Sequence, residues 1–203
     1  MLPSTEETDI IFDVCKENSL KQAERLKRGS GVRRRVAWNS KTPINWKCFL
    51  RNNTKKTELF HYLALKISET TSANPIIVTK GEEALANQEM SLNDVAPCDH
   101  EEGDTRIFVH AKSAVSYGSK SLMIKANDTD IVVLAVSVFS TLQEMGLDHL
   151  WIAFGQGSKM CWISIHQLNE VIGSDMSSEM PFFHAFTGCD VVSAFRGKGK
   201  KYA

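Results

Sequence analysis

Apolar and polar positions along this chain predict short strands that alternate with helices. Apolar runs rich in β-branched and aromatic residues, bounded by polar residues or glycine, are typical of strands. These predicted strands occupy 9–14, 75–79, 121–125, 149–154 and 160–165. Apolar residues spaced three and four apart indicate helices between them. The predicted helices span 20–28, 55–68, 104–114 and the stretch that ends at Glu144.

Alternation of strands and helices predicts an α/β fold with a largely parallel sheet. In such sheets the working site lies beyond the carboxyl ends of the strands. Acidic residues follow the apolar segments at that point, namely Asp13, Asp128, Asp130 and Asp190. Carboxylates gathered at one edge repel each other unless a cation neutralises them, and oxygen ligands favour Mg²⁺ or Mn²⁺.

Composition narrows the class of protein. The chain has 203 residues, of which 42% are hydrophobic and 24% charged, enough for one domain with a real core. Its longest apolar run, near 131–138, is too short to cross a membrane, and residues 1–7 lack the pattern of a secretory signal. The five cysteines form no C-x-x-C pair, so we expect reduced thiols and no zinc site in a nuclear or cytoplasmic protein.

The net charge of zero conceals a strong asymmetry along the chain. Eight basic residues and one acid lie between Lys21 and Lys41, whereas eight acids and no Lys or Arg lie between Glu82 and Asp104. Runs of charge are most often solvated faces. They also suit a nuclease, in which acids hold metal ions and basic residues hold phosphates.

Four short blocks occur in order along the chain. They are Phe12-Asp13 followed by the basic helix 20–28, Glu102-Gly103-Asp104, Asp128-Thr129-Asp130, and Gly188-Cys189-Asp190 followed by Gly197-Lys198-Gly199-Lys200. Each block alone is a common pattern. Their order and their placement after predicted strands resemble the motifs of the flap-endonuclease family of structure-specific nucleases.

The resemblance implies a PIN-like three-layer fold, with a central, mainly parallel sheet flanked by helices. It implies a nuclease domain over 1–195 and the start of a helix-two-turn-helix region over 196–203. The implied activity is phosphodiester hydrolysis with two Mg²⁺ or Mn²⁺ ions, on branched or single-stranded DNA or RNA. The implied metal ligands are Asp13, Glu102, Asp104, Asp128, Asp130 and Asp190.

Basic residues have a separate implied role. Lys21 and Arg28 match the basic helix that steadies the scissile phosphate in the family, and are the candidate catalytic residues. Arg33, Arg34 and Arg35 lie outside the motifs and are candidates for backbone contacts, as is the glycine turn at 197–200. The family has a further metal-binding Asp on an earlier strand, so we expect a truncated member without that strand.

Two other functions stay open. The absent aspartate favours a nucleic-acid-binding remnant of the nuclease fold that no longer cleaves. Alternatively, Asp128-Thr129-Asp130-Ile131-Val132 resembles the motif of haloacid-dehalogenase-type phosphotransferases, with Asp128 as nucleophile and Asp130 as general acid. Simpler explanations are that Glu102 and Asp104 stabilise a helix N-terminus and that His184 is a core histidine with a satisfied hydrogen bond.

Overall fold

The computed structural model describes residues 6–14, 36–37, 40–41 and 43–188. They fall into two compact units, the first ending at Arg106 and the second beginning at Ile107. Each unit combines a three-stranded sheet with helices, so the α/β class is confirmed. The single domain predicted over 1–195 stays a prediction.

The first unit contains a short parallel strand pair, and the described part of the connection between its strands carries two helices. Asn45 and Asn52 begin these helices, because each side-chain oxygen accepts a hydrogen bond from a backbone N–H three residues later, at 3.0 Å. The elements are β1 (Thr8–Ile10), α1 (Trp46–Leu50), α2 (Asn53–Ser68), β2 (Ile76–Lys80) and β3 (Glu83–Ala86).

The sheet of the first unit has the order β1-β2-β3. β1 runs parallel to β2, with Thr8 opposite Ile76, and β3 runs antiparallel to β2, with Lys80 opposite Glu83. The reversal between β2 and β3 therefore takes only two residues. Gly81 is the first of them and has φ 62°, a left-handed conformation that favours glycine in such turns.

The second unit repeats a parallel pair followed by an antiparallel strand. Its sheet has the order β4-β5-β6, with Ser121 opposite His149 in the parallel pair and Phe154 opposite Cys161 in the antiparallel pair. Helix α3 begins in the first unit and continues into the second. The elements are α3 (Gly103–Ser116), β4 (Ser121–Ala126), α4 (Thr129–Glu144), β5 (His149–Phe154), a 3₁₀ turn (Gly157–Lys159), β6 (Cys161–Ser164), α5 (Ile165–Ile172) and α6 (Ser174–Phe186).

Helix α4 supplies much of the core of the second unit. Ile131, Ala135 and Phe139 recur every four residues and are buried, as helical periodicity requires. Leu150 and Ile152 of β5 are fully buried in the same cluster. Burial of each large apolar side chain contributes about 2 kcal/mol, which holds α4 on the sheet despite its β-branched residues.

Several elements differ from the sequence predictions. The strand expected over 9–14 is β1 at Thr8–Ile10, because the N–H of Phe12 donates to the side chain of Thr79 instead of a strand ladder. Helix α6 contains Pro181 in its interior, where proline usually disrupts a helix. The elements that sequence reasoning missed are α1, β3, α5 and α6.

The other predicted elements within the described residues are confirmed to within a few residues at each end. They are α2, β2, α3, β4, α4, β5 and β6. None of the helices in the described ranges is long and apolar enough to cross a membrane. The predicted basic helix over 20–28 lies outside those ranges.

Candidate functional site

Asp13 lies just beyond the carboxyl end of β1, as the sequence predicted. The N–H of Val14 donates to the carbonyl of Glu101 at 2.8 Å, which ties this segment to the residues before α3. Asp13 Oδ1 accepts the N–H of Gly103, the first residue of α3, at 3.1 Å. The carboxylate thus satisfies a helix N-terminus, where a negative charge is favourable.

The second oxygen of Asp13 is held by a lysine. Asp13 Oδ2 lies 2.6 Å from Lys56 Nζ, and this ammonium also lies 5.3 Å from the centre of the Phe60 ring. The ring of Phe12 stacks on Phe60 with 4.4 Å between centres. The Asp13 side chain is 40% exposed, so water reaches this pair. The pair fixes α2 against the end of β1.

A cavity of about 200 Å³ opens beside Asp13, at the carboxyl ends of β1 and β2. His61 contributes an imidazole to it. Burial, and to a smaller degree the charge of Lys80, lowers the pKa of His61 below its ordinary value. The lining residues are Phe12, Asp13, Val14, Thr57, Phe60, His61, Gly81 and Glu82.

Glu102 and Asp104 lie at the start of α3. Asp104 is in the first turn, where its charge is stabilised by the helix dipole. The backbone carbonyl of Glu102 accepts the N–H of Arg106 at 3.3 Å, which starts the helical ladder. Asp13 thus contacts the N-terminus of α3, next to Glu102 and Asp104 in the sequence.

Sequence reasoning missed Arg106. This arginine is fully buried, and its guanidinium donates to the carbonyls of Gly81, Glu82 and Glu83 in the β2–β3 turn. Burial lowers its pKa, while the nearby Cys98, Glu82 and Glu83 oppose that shift. Arg106 therefore holds the turn that lines the cavity. One arginine among many in the sequence gives no signal of this role.

In the second unit, Asp128 follows β4 and begins α4. Its Oδ1 accepts the N–H of Asp130 at 3.1 Å, so Asp128 is the N-cap of the helix. The side chain is exposed. For the phosphotransferase alternative, this places the proposed nucleophile in a capping role.

Asp130 lies in the first turn of α4 and is paired with His184 of α6. The distance between Asp130 Oδ1 and His184 Nε2 is 2.8 Å, and the side chains are 34% and 12% exposed. The core histidine expected from the sequence is therefore partly buried and bonded to a predicted metal ligand. The two residues are 54 positions apart in the sequence, which explains why no local pattern revealed the pair.

A groove of about 380 Å³ lies beside this pair. Its lining is apolar except for Thr129 and His184. The lining residues are Thr129, Val132, Val133, Phe154, Ile163, Met180, Phe183 and His184.

The donor chemistry of Asp128 and Asp130 fits a hard divalent cation such as Mg²⁺ or Mn²⁺, because both supply carboxylate oxygens. Within the described ranges, no three His, Cys, Asp or Glu side chains are grouped closely enough to hold a metal ion. The remaining predicted ligand, Asp190, lies outside those ranges.

Other predicted site residues also lie outside the part of the chain that the structure describes. They are Lys21, Arg28, Arg33, Arg34, Arg35, Gly197, Lys198, Gly199 and Lys200.

Comparisons with protein families, curated proteins and solved structures find no match to this chain.

Proposed function

We propose that this chain is a PIN-like nuclease domain that hydrolyses phosphodiester bonds in DNA or RNA with Mg²⁺ or Mn²⁺. The observation that carries the proposal is the position of the aspartates. Asp13 follows the first strand of one parallel pair, and Asp128 and Asp130 follow the first strand of the other. Carboxyl ends of parallel strands are where α/β proteins bind their ligands.

The proposed metal ligands are those implied by the resemblance to flap endonucleases. In the second unit these are Asp128 and Asp130, whose carboxylates lie at the start of α4. The implied ligands of the first unit are Asp13, Glu102 and Asp104, and the remaining one, Asp190, lies outside the described residues. A bound divalent cation would activate water and stabilise the charge that develops on the phosphate. Lys21 and Arg28 would hold the scissile phosphate through charge-assisted hydrogen bonds.

Nucleic-acid binding without cleavage is the second candidate, and one observation favours it. Two of the aspartates already have basic partners, since Asp13 contacts Lys56 Nζ at 2.6 Å and Asp130 contacts His184 Nε2 at 2.8 Å. Basic groups that neutralise carboxylates compete with a metal ion for them. In this case the basic stretches of the chain would bind the nucleic-acid backbone.

Mn²⁺ calorimetry and cleavage of a labelled flap DNA test the proposal together. The variant is Asp128→Asn/Asp130→Asn, and the matched control is Asp148→Asn, an exposed aspartate at the amino end of β5. We expect wild type and control to bind Mn²⁺ and cleave, and the double variant to do neither. Amide oxygens are weaker ligands than carboxylates for these ions.

The outcomes separate the two candidates. Salt-dependent binding of the flap DNA by wild type, with no Mn²⁺ binding and no cleavage, would support the non-cleaving alternative. Cleavage that survives in the double variant would reject these two aspartates as ligands. Absence of metal binding, DNA binding and cleavage in wild type would reject both candidate functions. Melting temperatures of all three proteins verify that they are folded.

A further inference from the structure

We propose that one face of the sheet in the second unit binds single-stranded nucleic acid by stacking bases on tryptophan side chains. This open face is formed by Met123 and Lys125 of β4, Trp151 of β5 and Trp162 of β6. It is distinct from the strand-end acids of the proposed metal site. The inference therefore requires neither metal binding nor cleavage.

The strand register places these four side chains on the same side of the sheet. Side chains alternate along a strand, and residues opposite each other on neighbouring strands share a face. Met123 lies opposite Trp151, and Lys125 lies opposite Ala153. Ala153 in turn lies opposite Trp162. The two tryptophans are therefore diagonal neighbours on adjacent strands, which are typically about 7–8 Å apart. The residues that alternate with them enter the core with α4, namely Ile124, Leu150 and Ile152.

Large side chains of the open face are accessible to solvent. Trp162 is 45% exposed, Met123 is 57% exposed, and Met160, just before β6, is 44% exposed. Trp151 is half-buried, and its ring meets the ring of His166 edge to face with 5.1 Å between centres. An exposed indole keeps a large flat apolar surface in water, and a stacked base would cover that surface.

The charge of this region is complementary to a polyanion. Strands β4, β5 and β6 contain no Asp or Glu, and Lys125 is their one Lys or Arg. Its Nζ donates to a backbone carbonyl at 2.8 Å, a neutral partner that does not cancel the positive charge. Lys120, just before β4, bonds another backbone carbonyl at 2.8 Å, and Lys159 lies in the 3₁₀ turn before β6. The acids nearest in sequence, Asp128 and Asp148, lie outside the strands.

The combination of indoles and a lysine favours nucleic acid over a protein partner. The central parts of protein interfaces are depleted in Lys, whereas Lys125 lies in the same row across the sheet as Trp162. Phosphates neutralise lysines, and every base has a flat face that stacks on an aromatic ring. In a duplex the bases already stack on each other, so the strand that fits this face is single.

Five variants separate stacking from general attraction of charge. Trp162→Ala removes the exposed indole, and Trp162→Phe keeps an aromatic face. Lys125→Gln removes the positive charge beside it. The matched controls are Phe182→Ala, an aromatic residue of α6 that is 70% exposed, and Lys112→Gln, an exposed lysine of α3. Melting temperatures verify that each variant is folded.

The measurement is the fluorescence anisotropy of a fluorescein-labelled oligothymidylate of about 12 nucleotides, within the range that single-strand-binding domains cover. EDTA is present, so that metal binding and cleavage play no part. We expect Trp162→Ala to raise the dissociation constant about 5–100-fold and Trp162→Phe to raise it less than about fivefold. Lys125→Gln should weaken binding and reduce the slope of log affinity against log salt by about 0.7. Both controls should bind as wild type does.

Tryptophan fluorescence gives a second readout that a merely structural role would not change. Stacking of a base on an indole quenches its emission, so the oligonucleotide should quench wild type more than Trp162→Phe. Equal quenching in the two proteins would overturn the proposal, and this comparison decides even if Trp162→Ala is destabilised.

The proposal is also overturned if Trp162→Ala binds the oligonucleotide as tightly as wild type, since binding would then come from another part of the chain. Equal weakening by Trp162→Ala and Phe182→Ala has the same meaning. Self-association in analytical ultracentrifugation that is lost in Trp162→Ala, with unchanged DNA affinity, would assign the face to a second copy of the chain. Wild type that binds no single strand overturns the inference as well. Mn²⁺ binding and flap cleavage are read separately, so either the proposed nuclease or this inference can fail alone.

Discussion

The two units follow the same plan, and each secures its strand-end aspartate differently. In both, a parallel strand pair is followed by a glycine and an antiparallel third strand. In the first unit Asp13 is held by Lys56 of α2 and by the N-terminus of α3. In the second, Asp128 is the N-cap of α4, the helix between the two parallel strands, and Asp130 in the first turn of α4 pairs with His184.

The apolar cores of the two units also differ in size. Of the described residues, the buried cluster of the first unit has three members, Ile77, Ala84 and Val95, whereas that of the second has thirteen. A small apolar core leaves more of the fold to hydrogen bonds and ion pairs. The first unit should therefore be the more sensitive of the two to loss of a single polar side chain.

The largest expected loss of stability follows substitution of Arg106, and substitution of Lys125 in the second unit is the comparison. Each donates to the carbonyl of the glycine that follows the second parallel strand, Arg106 to Gly81 and Lys125 to Gly155, the latter at 2.8 Å. Arg106 is fully buried and Lys125 is exposed. We expect Arg106→Met to lower the free energy of unfolding by about 3 kcal/mol, because buried carbonyls lose their donors. Lys125→Met should cost less than about 0.5 kcal/mol.

Urea unfolding followed by circular dichroism measures both values. Equal losses in the two variants would contradict the expectation that the first unit, with its smaller apolar core, depends more on polar contacts than the second.

The next largest loss of stability concerns Gly81 and Gly155, the glycines that begin the turns into the antiparallel third strands. Both have positive φ, 62° at Gly81 and 89° at Gly155. A Cβ on Gly155 would lie 2.6 Å from the carbonyl oxygen of Lys159, whereas one on Gly81 would lie 3.5 Å from His61 Nε2, an ordinary contact. We expect Gly81→Ala to cost about 1 kcal/mol from the backbone conformation, and Gly155→Ala about 2 kcal/mol because its turn must also shift.

Thermal and urea unfolding of the two alanine variants compare these costs. A larger loss at Gly81 than at Gly155 would mean that close approach to the Lys159 backbone does not control the second turn.

The smallest effect is a pH dependence in the first unit. The pKa of His61 is lowered in the folded state, so the unfolded chain binds a proton more readily. The contribution of His61 to the free energy of unfolding is therefore fully present at high pH. It is lost as the pH drops through about 6.5, the pKa of histidine in an unfolded chain. We expect His61→Gln to reduce the loss of stability between about pH 8 and pH 5.

Unfolding free energies at both pH values check this. At pH 8 His61 is neutral in both the folded and the unfolded protein. Any difference in the free energy of unfolding between variant and wild type at that pH therefore reports packing alone. An unchanged slope in His61→Gln would assign the pH dependence to other groups.

The acids of the candidate site illustrate what local sequence can predict. Asp13, Asp128 and Asp130 were found because each follows a strand that its apolar residues already identify. Lys56, Arg106 and His184 were not found as partners, since each acts across a long stretch of chain. The helix that carries His184 also contains Pro181, and its packing on α4 outweighs the local preference of proline against a helix interior.

By itself, the sequence determined where most strands and helices of the described ranges begin and end, and which acids follow the strands. Periodicity, caps and turn glycines are local properties, and each acts within a few residues. The tertiary structure alone decided that Asp13 is paired with Lys56 and Asp130 with His184. It also decided that Arg106 is buried under the β2–β3 turn. Hydrogen bonds and ion pairs depend on distances in space, which the spacing of residues along the chain does not fix.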